Sequence, residues 1–403
     1  MDPSFEPIAH VVDHPRHGRA LSVPGFVTAH SHAFQRGLRG ATQRPASQAG
    51  TFWSWRDAMY RLANDLTPAS IARISRRAFD ELARAGVVAV GEFHYVHHAP
   101  GGTPYADRTL LADCVIRAAL DAGLSITLLR VAYARGGPDR APEGAQLRFC
   151  DRDVDLVLRD VDTLRGRWRN EPRVRVGIAP HSVRAVPRAW IETLHAHARA
   201  HSLPFHMHVA EQQGEIDACV AEHGRRPVEL LADAGALDER FCAVHATVLE
   251  PHEAKLLGDA HASVCVCPTT ERDLGDGLPD LTVLRASGVR LSVGIDSHVV
   301  TDAIEEMRAL EMHERLRTRR RVTFTAGGRT PAEQLLVDAS VHGAQAIGFA
   351  GDVDGARVRF GARTLVPLDG AACLEGVTDE VLADAFVFSG TNALRLEREG
   401  LLR

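Results

Sequence analysis

Three observations predict an α/β protein built as a (β/α)8 TIM barrel with a reduced, β-rich appendage. Eight short apolar runs rich in β-branched residues recur along the chain, at 21–29, 87–93, 124–131, 174–179, 203–209, 241–244, 262–267 and 289–295. Helix-period segments separate most of them, as parallel strands require. The chain around the end of the first run reads AHSHAFQRG, not the glycine-rich phosphate loop of an open doubly wound sheet. Such a barrel typically takes about 250 residues, more with insertions, and 24–349 accommodates it.

Thr67-Pro68 opens one helix as cap and first residue, and Gly86 closes it. Further helices are expected at 187–201, 211–222, 227–234 and 251–259, a long one at 302–320, and another opened by Thr330-Pro331. Segments 39–51, 97–107 and 135–145, rich in Gly, Pro and polar residues, read as long loops of the kind that form lids or binding surfaces. His97 and His98 at the start of one of them are expected to be solvated. Residues 1–23 read as a short remnant of a small β domain, and 350–403 as a β-rich appendage whose strands are ARVRF, TLVPL and AFVFSG. The Cys265-Val266-Cys267 pair sits inside an apolar run and is expected to pack in the core.

The 403 residues carry 47 basic and 52 acidic side chains, a net charge of 47 − 52 = −5, with 45% hydrophobic and 25% charged residues. That is the composition of a globular protein, and it gives no reason to expect a nucleic-acid or membrane partner. The N-terminus lacks a basic region followed by an apolar core, so no secretory signal is expected. Seven scattered cysteines form no disulfide framework, which points to the cytoplasm. Lys255 is the only lysine, the other 46 of the 47 basic residues being arginine. Phosphate-loop, Schiff-base and carbamylated-lysine chemistry are thereby nearly excluded. The 21 histidines invite a search for metal-ligand spacing instead.

His30-Ser31-His32 ends the first strand, and residues two apart on a strand share a face. The fourth strand leads to His181, the fifth ends in His206-Met207-His208-Val209-Ala210-Glu211, the sixth in His245 and the eighth in Asp296-Ser297-His298. Catalytic groups of barrel enzymes sit at this end of the strands. A single one of these residues is unremarkable, whereas five strand ends together point to a site. Three histidines and an aspartate make the mixed shell that zinc accepts, leaving a position for a water that becomes nucleophilic near neutral pH. Glu211 and Asp296 are candidate proton carriers, and His245 can orient the nucleophile or polarise the group under attack.

The motifs PGFVTAHSHAFQRG, HMHVAEQQGE, VHAT, TERDLGDG and GIDSHV resemble those of the amidohydrolase superfamily. FWSWRDAMYRL, GEFHYVHH, HSVRAV, EQQGEIDAC and GRRPVELL are similar, more narrowly, to its branch of deiminases that act on formiminoglutamate. The resemblance implies one zinc held by His30, His32, His208 and Asp296, with Glu211 as proton shuttle and His245 beside the nucleophile. It selects His208 over His206 because the family's ligand stands three residues before its glutamate. It places substrate contacts at Gln35, Arg56, Tyr95, His181 and Arg184. It also makes a homodimer plausible.

Formiminoglutamate carries two carboxylates and a cationic formimino group, and arginine's planar fork suits a carboxylate. Arg56 and Arg184 would match the two. The implied reaction is hydrolysis of the formimino C=N to formylglutamate and ammonia, with Asp296 taking the water proton. The alternatives are a deaminase of another guanidino or amidine acid or of a purine, and a catalytically dead metal-binding relative. Iron, manganese or nickel would also suit the shell. The branch usually carries a small β-sandwich, and here it is expected to be missing or reduced, without closing C-terminal strands.

Overall fold

The computed structural model describes residues 4–43, 52–325, 327–391 and 393–402. Residues 44–51 of the 39–51 loop therefore lie outside the described residues. Eight parallel strands, Phe26–Ser31, Val87–His94, Ser125–Ala132, Val174–Pro180, Phe205–Val209, Phe241–His245, Ser263–Val266 and Arg290–Val293, lie side by side in sequence order. All eight runs read from the sequence supply a barrel strand. The strands are buried along almost their whole length, which is why they read as continuous apolar runs.

The helices start and stop where local chemistry dictates. Thr67 accepts the Ser70 N–H at 3.2 Å ahead of helix Pro68–Arg84. Gly86, at φ +79°, ends the connection against Phe26 and Thr364, where a Cβ would approach within 3.0–3.1 Å. Asp302 caps the Ala303–Thr318 helix by accepting from Ile304 and Glu305 at 2.9 and 3.1 Å. Cys265 and Cys267 are fully buried, as expected of small apolar residues. Among the described residues no helix is long and apolar enough to cross a membrane.

The barrel closes between its first and last strands at one place. Ser31 bridges Asp296, His32 N–H donates to the Asp296 carbonyl at 2.9 Å, and Asp296 N–H donates to the His30 carbonyl at 3.1 Å. Just below, the register of the first strand shifts, and the Thr28 hydroxyl stands in for backbone. It accepts from Ile295 N–H at 2.8 Å and donates to the His30 carbonyl at 2.9 Å. This irregularity re-aims the residues that follow it, a common use of a bulge beside a functional site.

Two small antiparallel sheets flank the barrel. One orders Glu397–Gly400, Ala362–Pro367, Gly18–Pro24 and His10–His14; the other orders Glu6–Pro7, Arg357–Arg359 and Asp352–Asp354. Three expectations change here. The run 21–29 is two strands divided at Gly25, the first half pairing in the small sheet. A Cβ on Gly25 would meet Val88 at 2.7 Å, so the chain turns there by close approach. AFVFSG is not a strand but lies in helix Leu382–Ser389, whose Leu382, Phe386 and Val387 share a buried face, a short apolar run being ambiguous by periodicity alone. The C-terminus, expected to lack closing strands, supplies Glu397–Gly400.

Gly294 sits where the eighth strand approaches the first. A Cβ there would lie 2.8 Å from Cys267 Sγ, 2.9 Å from His30 Cβ and 3.0 Å from Cys265 Sγ. Gly294→Ala is expected to cost about 1–3 kcal/mol through overpacking, read as a lower denaturation midpoint. An unchanged midpoint would show that the first strand is free to move away from the eighth.

Candidate active site

Four side chains converge above the closure. His30 Nε2 lies 3.1 Å from both His32 Nε2 and His208 Nε2, and Asp296 Oδ1 lies 3.4 and 3.3 Å from the first two. Ligands about 2.0–2.1 Å from a tetrahedral ion stand roughly 3.3–3.4 Å apart, so the three histidines are spaced to share one zinc-like cation, and Asp296 stands at such a spacing from His30 and His32. The second nitrogens support that fit. His32 Nδ1 donates to the Phe93 carbonyl at 2.9 Å and His208 Nδ1 to the His181 carbonyl at 3.1 Å, which turns both Nε2 lone pairs toward the common centre. Three buried imidazoles whose ring nitrogens meet this way could hold a cation.

Burial, the largest effect, lowers the pKa of His30, His32 and His208, that of His32 to about 3, so all three offer lone pairs. Asp296 is pushed up by burial, but the hydrogen bond and charge of His30, then His32 and His245, hold it below the usual carboxylate range. His206 points the same way from the same strand but sits one layer deeper, its Nε2 bonded to the Ala346 carbonyl at 2.8 Å. The structure thus brings His208, not His206, to the other three.

His245 and Glu211 face the shell from the sixth and fifth strand ends. His245 Nε2 is 3.9 Å from Glu211 Oε1 and 3.9 Å from Asp296 Oδ2, while its Nδ1 is 3.2 Å from Glu271 Oε1. Burial opposes a charged His245, yet Glu211, Glu271 and Asp296 outweigh it and raise its pKa well above the ordinary value. Burial, with Asp276, Asp296 and Glu215 against His245, pushes Glu211 up to about 8. A carboxyl raised toward neutrality and an imidazole raised above its ordinary value therefore stand side by side. His245 and Asp296 have φ of +72° and +53°, an uncommon backbone region for non-glycine residues that clusters at functional sites.

A cavity opens in front of the shell. Its wall unites Gln35, Arg56, Tyr95, His181 and Arg184 with His32, His208, Glu211, His245 and Asp296. Gln35 donates to the Tyr95 hydroxyl at 2.8 Å, and that hydroxyl donates to Met59 Sδ. Arg184 Nη1 is buried without a partner.

Several functional neighbours went unread in the sequence. Glu271 accepts from Cys267 N–H at 2.8 Å as well as facing His245, and its place just beyond the seventh strand was the available signal. Glu92, inside GEFHYVHH, accepts from Ser31 Oγ at 2.7 Å and Ala33 N–H at 2.8 Å and so braces the His30–His32 turn. Tyr60, inside FWSWRDAMYRL, also lines the cavity, as do Tyr133 and Phe149, which no motif marks. His97 and His98 are not solvated: they are 2% and 3% exposed, bonded to the Val131 and Cys150 carbonyls, because Arg130 and Asp151 draw that loop into the core.

The chain belongs to the amidohydrolase family, whose model matches residues 21–354. It is 39% identical over 327 residues to a formimidoylglutamate deiminase from Pseudomonas aeruginosa, covering 81% of this chain and 72% of that protein. It is 28% identical over 376 residues to a 5-methylthioadenosine/S-adenosylhomocysteine deaminase from Halobacterium salinarum, covering 92% and 78%. Among solved structures, an amidohydrolase from Brucella melitensis matches with a TM-score of 0.85 at 33% identity, over 94% of this chain and 84% of that one. The zinc complex of atrazine chlorohydrolase TrzN from Arthrobacter aurescens matches with a TM-score of 0.78 at 19% identity, over 93% and 81%, and shows the shared fold.

If the four converging side chains bind the ion, His208→Ala is expected to abolish stoichiometric metal, whereas His206→Ala retains it. Elemental analysis of the two purified, folded variants distinguishes them. Equal loss in both would reverse the choice of ligand.

Proposed function

We propose that the protein hydrolyses N-formimino-L-glutamate to N-formyl-L-glutamate and ammonia with one zinc ion, as a step of histidine degradation. The observation that carries this reading is a cavity whose wall holds two arginines and, at one end, His32, His208 and Asp296, with His30 completing a three-histidine group behind them. The 39% identity to a protein named for this reaction supports it.

Zinc held by His30, His32, His208 and Asp296 supplies a nucleophilic water near neutral pH. Asp296 Oδ2 is turned toward His245 and takes the proton of the attacking water. Glu211, across from it, carries a proton to the departing nitrogen, for which a pKa raised to about 8 is suited. His245, its Nδ1 held by Glu271, is placed to hydrogen bond the attacking oxygen. Arg56 and Arg184 bind the two carboxylates, while Gln35, Tyr95 and His181 orient the chain between them. Water adds to the C=N carbon, the C–NH2 bond breaks, and the formyl C=O remains.

The ring-rich wall of Trp55, Tyr60, Tyr95, Tyr133 and Phe149 favours a second reading, a purine substrate stacked in the cavity. Two arginines in that wall suit a dicarboxylate better than a neutral base.

Ammonia release from formiminoglutamate by metal-loaded protein is the test. Turnover should vanish with chelator and return with zinc. Asp296→Asn should lower kcat by roughly 10^2–10^4-fold, the usual worth of a positioned acid–base group. Release from a purine nucleoside but not from formiminoglutamate would replace the first reading by the second.

A further inference from the structure

Three of the chain's four tyrosines, Tyr60, Tyr95 and Tyr133, line the cavity before the shell. Tyr95 is engaged by Gln35 and Met59. Tyr60 and Tyr133 stand with the arginines. The Arg56 guanidinium lies 5.4 Å from the Tyr60 ring centre, and the Tyr133 phenol is faced by the Arg184 guanidinium and the Tyr60 hydroxyl.

A proton count shows what this pair lacks. Gln146 Oε1 accepts the Glu143 N–H at 3.1 Å, which fixes the amide so that its Nε2 donates to the Tyr60 oxygen at 3.1 Å. A guanidinium has only donors, so Arg184 can meet Tyr133 only at the phenol oxygen. The Tyr60 oxygen therefore receives a proton donor and keeps its own O–H, and the Tyr133 phenol, facing a guanidinium that can only donate, keeps its O–H as well. One O–H can be absorbed by the other phenol. The remaining one has no carboxylate or carbonyl acceptor among the described residues and faces the cavity.

The pair is also held in place before any ligand arrives. The Tyr133 carbonyl accepts from Asp151 N–H at 2.9 Å, and the Asp151 carboxylate is gripped by Arg108 and Arg130 at 2.7 and 2.8 Å. The Tyr133 ring packs against His181, 4.7 Å between centres, and the Tyr60 ring against Phe149 at 5.8 Å. Burial raises the Tyr133 pKa, so the phenol remains a donor at neutral pH.

We propose that Tyr60 and Tyr133 are specificity-determining residues, a hydroxyl pair that donates to the substrate carboxylate farthest from the metal and so selects amidines bearing two carboxylates. The inference rests on the dicarboxylate reading of the cavity. A site whose buried donor goes unpaired with a shorter ligand rejects that ligand far more strongly than a greasy pocket would.

The test uses Tyr133→Phe, Tyr60→Phe and the double variant of the metal-loaded enzyme, with Tyr105→Phe, outside the cavity, as control. With formiminoglutamate, KM should rise roughly 10- to 100-fold in the double variant, the worth of a hydrogen bond to a charged group. Its kcat should stay within about twofold, since the carboxylate contact is made equally in ground and transition states. Calorimetric binding of glutarate and of butyrate is read in parallel and needs no turnover. Wild type should prefer glutarate, and the double variant should lose most of that preference. An unchanged KM, or equal weakening of glutarate and butyrate, would overturn the proposal. Loss of glutarate preference in a protein that does not turn over formiminoglutamate would uphold the donor pair and remove only the substrate reading.

Discussion

The seam between the first and eighth barrel strands is the constraint on which the site depends. Its backbone bonds run between His30, His32 and Asp296, so the residues that close the barrel are three of the four proposed to hold the metal. A hydrolytic metal site needs its ligands placed to within a fraction of an ångström. Here the same two hydrogen bonds that complete the sheet set the distance between the first-strand imidazoles and the eighth-strand carboxylate. The left-handed backbone at Asp296 is the local cost of turning that carboxylate inward at the end of its strand.

A second layer of carboxylates holds this arrangement against its own charge. Glu92 braces the turn behind His30 and His32, and burial pushes its pKa up to about 8. Glu271 keeps His245 oriented and helps to raise its pKa, and the His298 ring reaches the same Ser31 hydroxyl at 2.9 Å. The result is a polarity along the cavity. Glu211, Asp296 and the imidazoles gather at the proposed metal end, and Arg56, Arg184, Tyr60 and Tyr133 complete the wall. A ligand cationic at one end and dianionic along the rest matches that polarity, and this complementarity joins the proposed substrate to the proposed role of Tyr60 and Tyr133.

Much of this was legible in the residues. The eight strands showed because buried parallel strands read as apolar runs, and their polar ends showed because His and Asp interrupt those runs at one level. The choice of His208 over His206 did not follow from alternation, which puts both on one face; it needed the motif spacing, and in the structure it turns on depth in the barrel. The bulge at Thr28 was hidden, since a threonine in a strand ordinarily packs and does not replace backbone. Tyr133 and Phe149 were hidden too, being isolated rings on separate elements that meet Tyr60 only after folding. The burial of His97 and His98 escaped because the charges that draw them in, Arg130 and Asp151, are far along the chain. The strand misread at AFVFSG shows the limit for apolar runs under about eight residues, where strand and helix patterns coincide.

The measurement that tests the account's central claim most directly is hydrogen exchange at the His32 and Asp296 amides, with and without zinc. If metal binding and barrel closure are one interaction, zinc should slow exchange at both amides well beyond its effect on interior amides of the third strand, Ser125–Ala132. Exchange at the seam that is indifferent to zinc, in protein shown to hold the ion, would contradict the account and place the metal apart from the closure of the barrel.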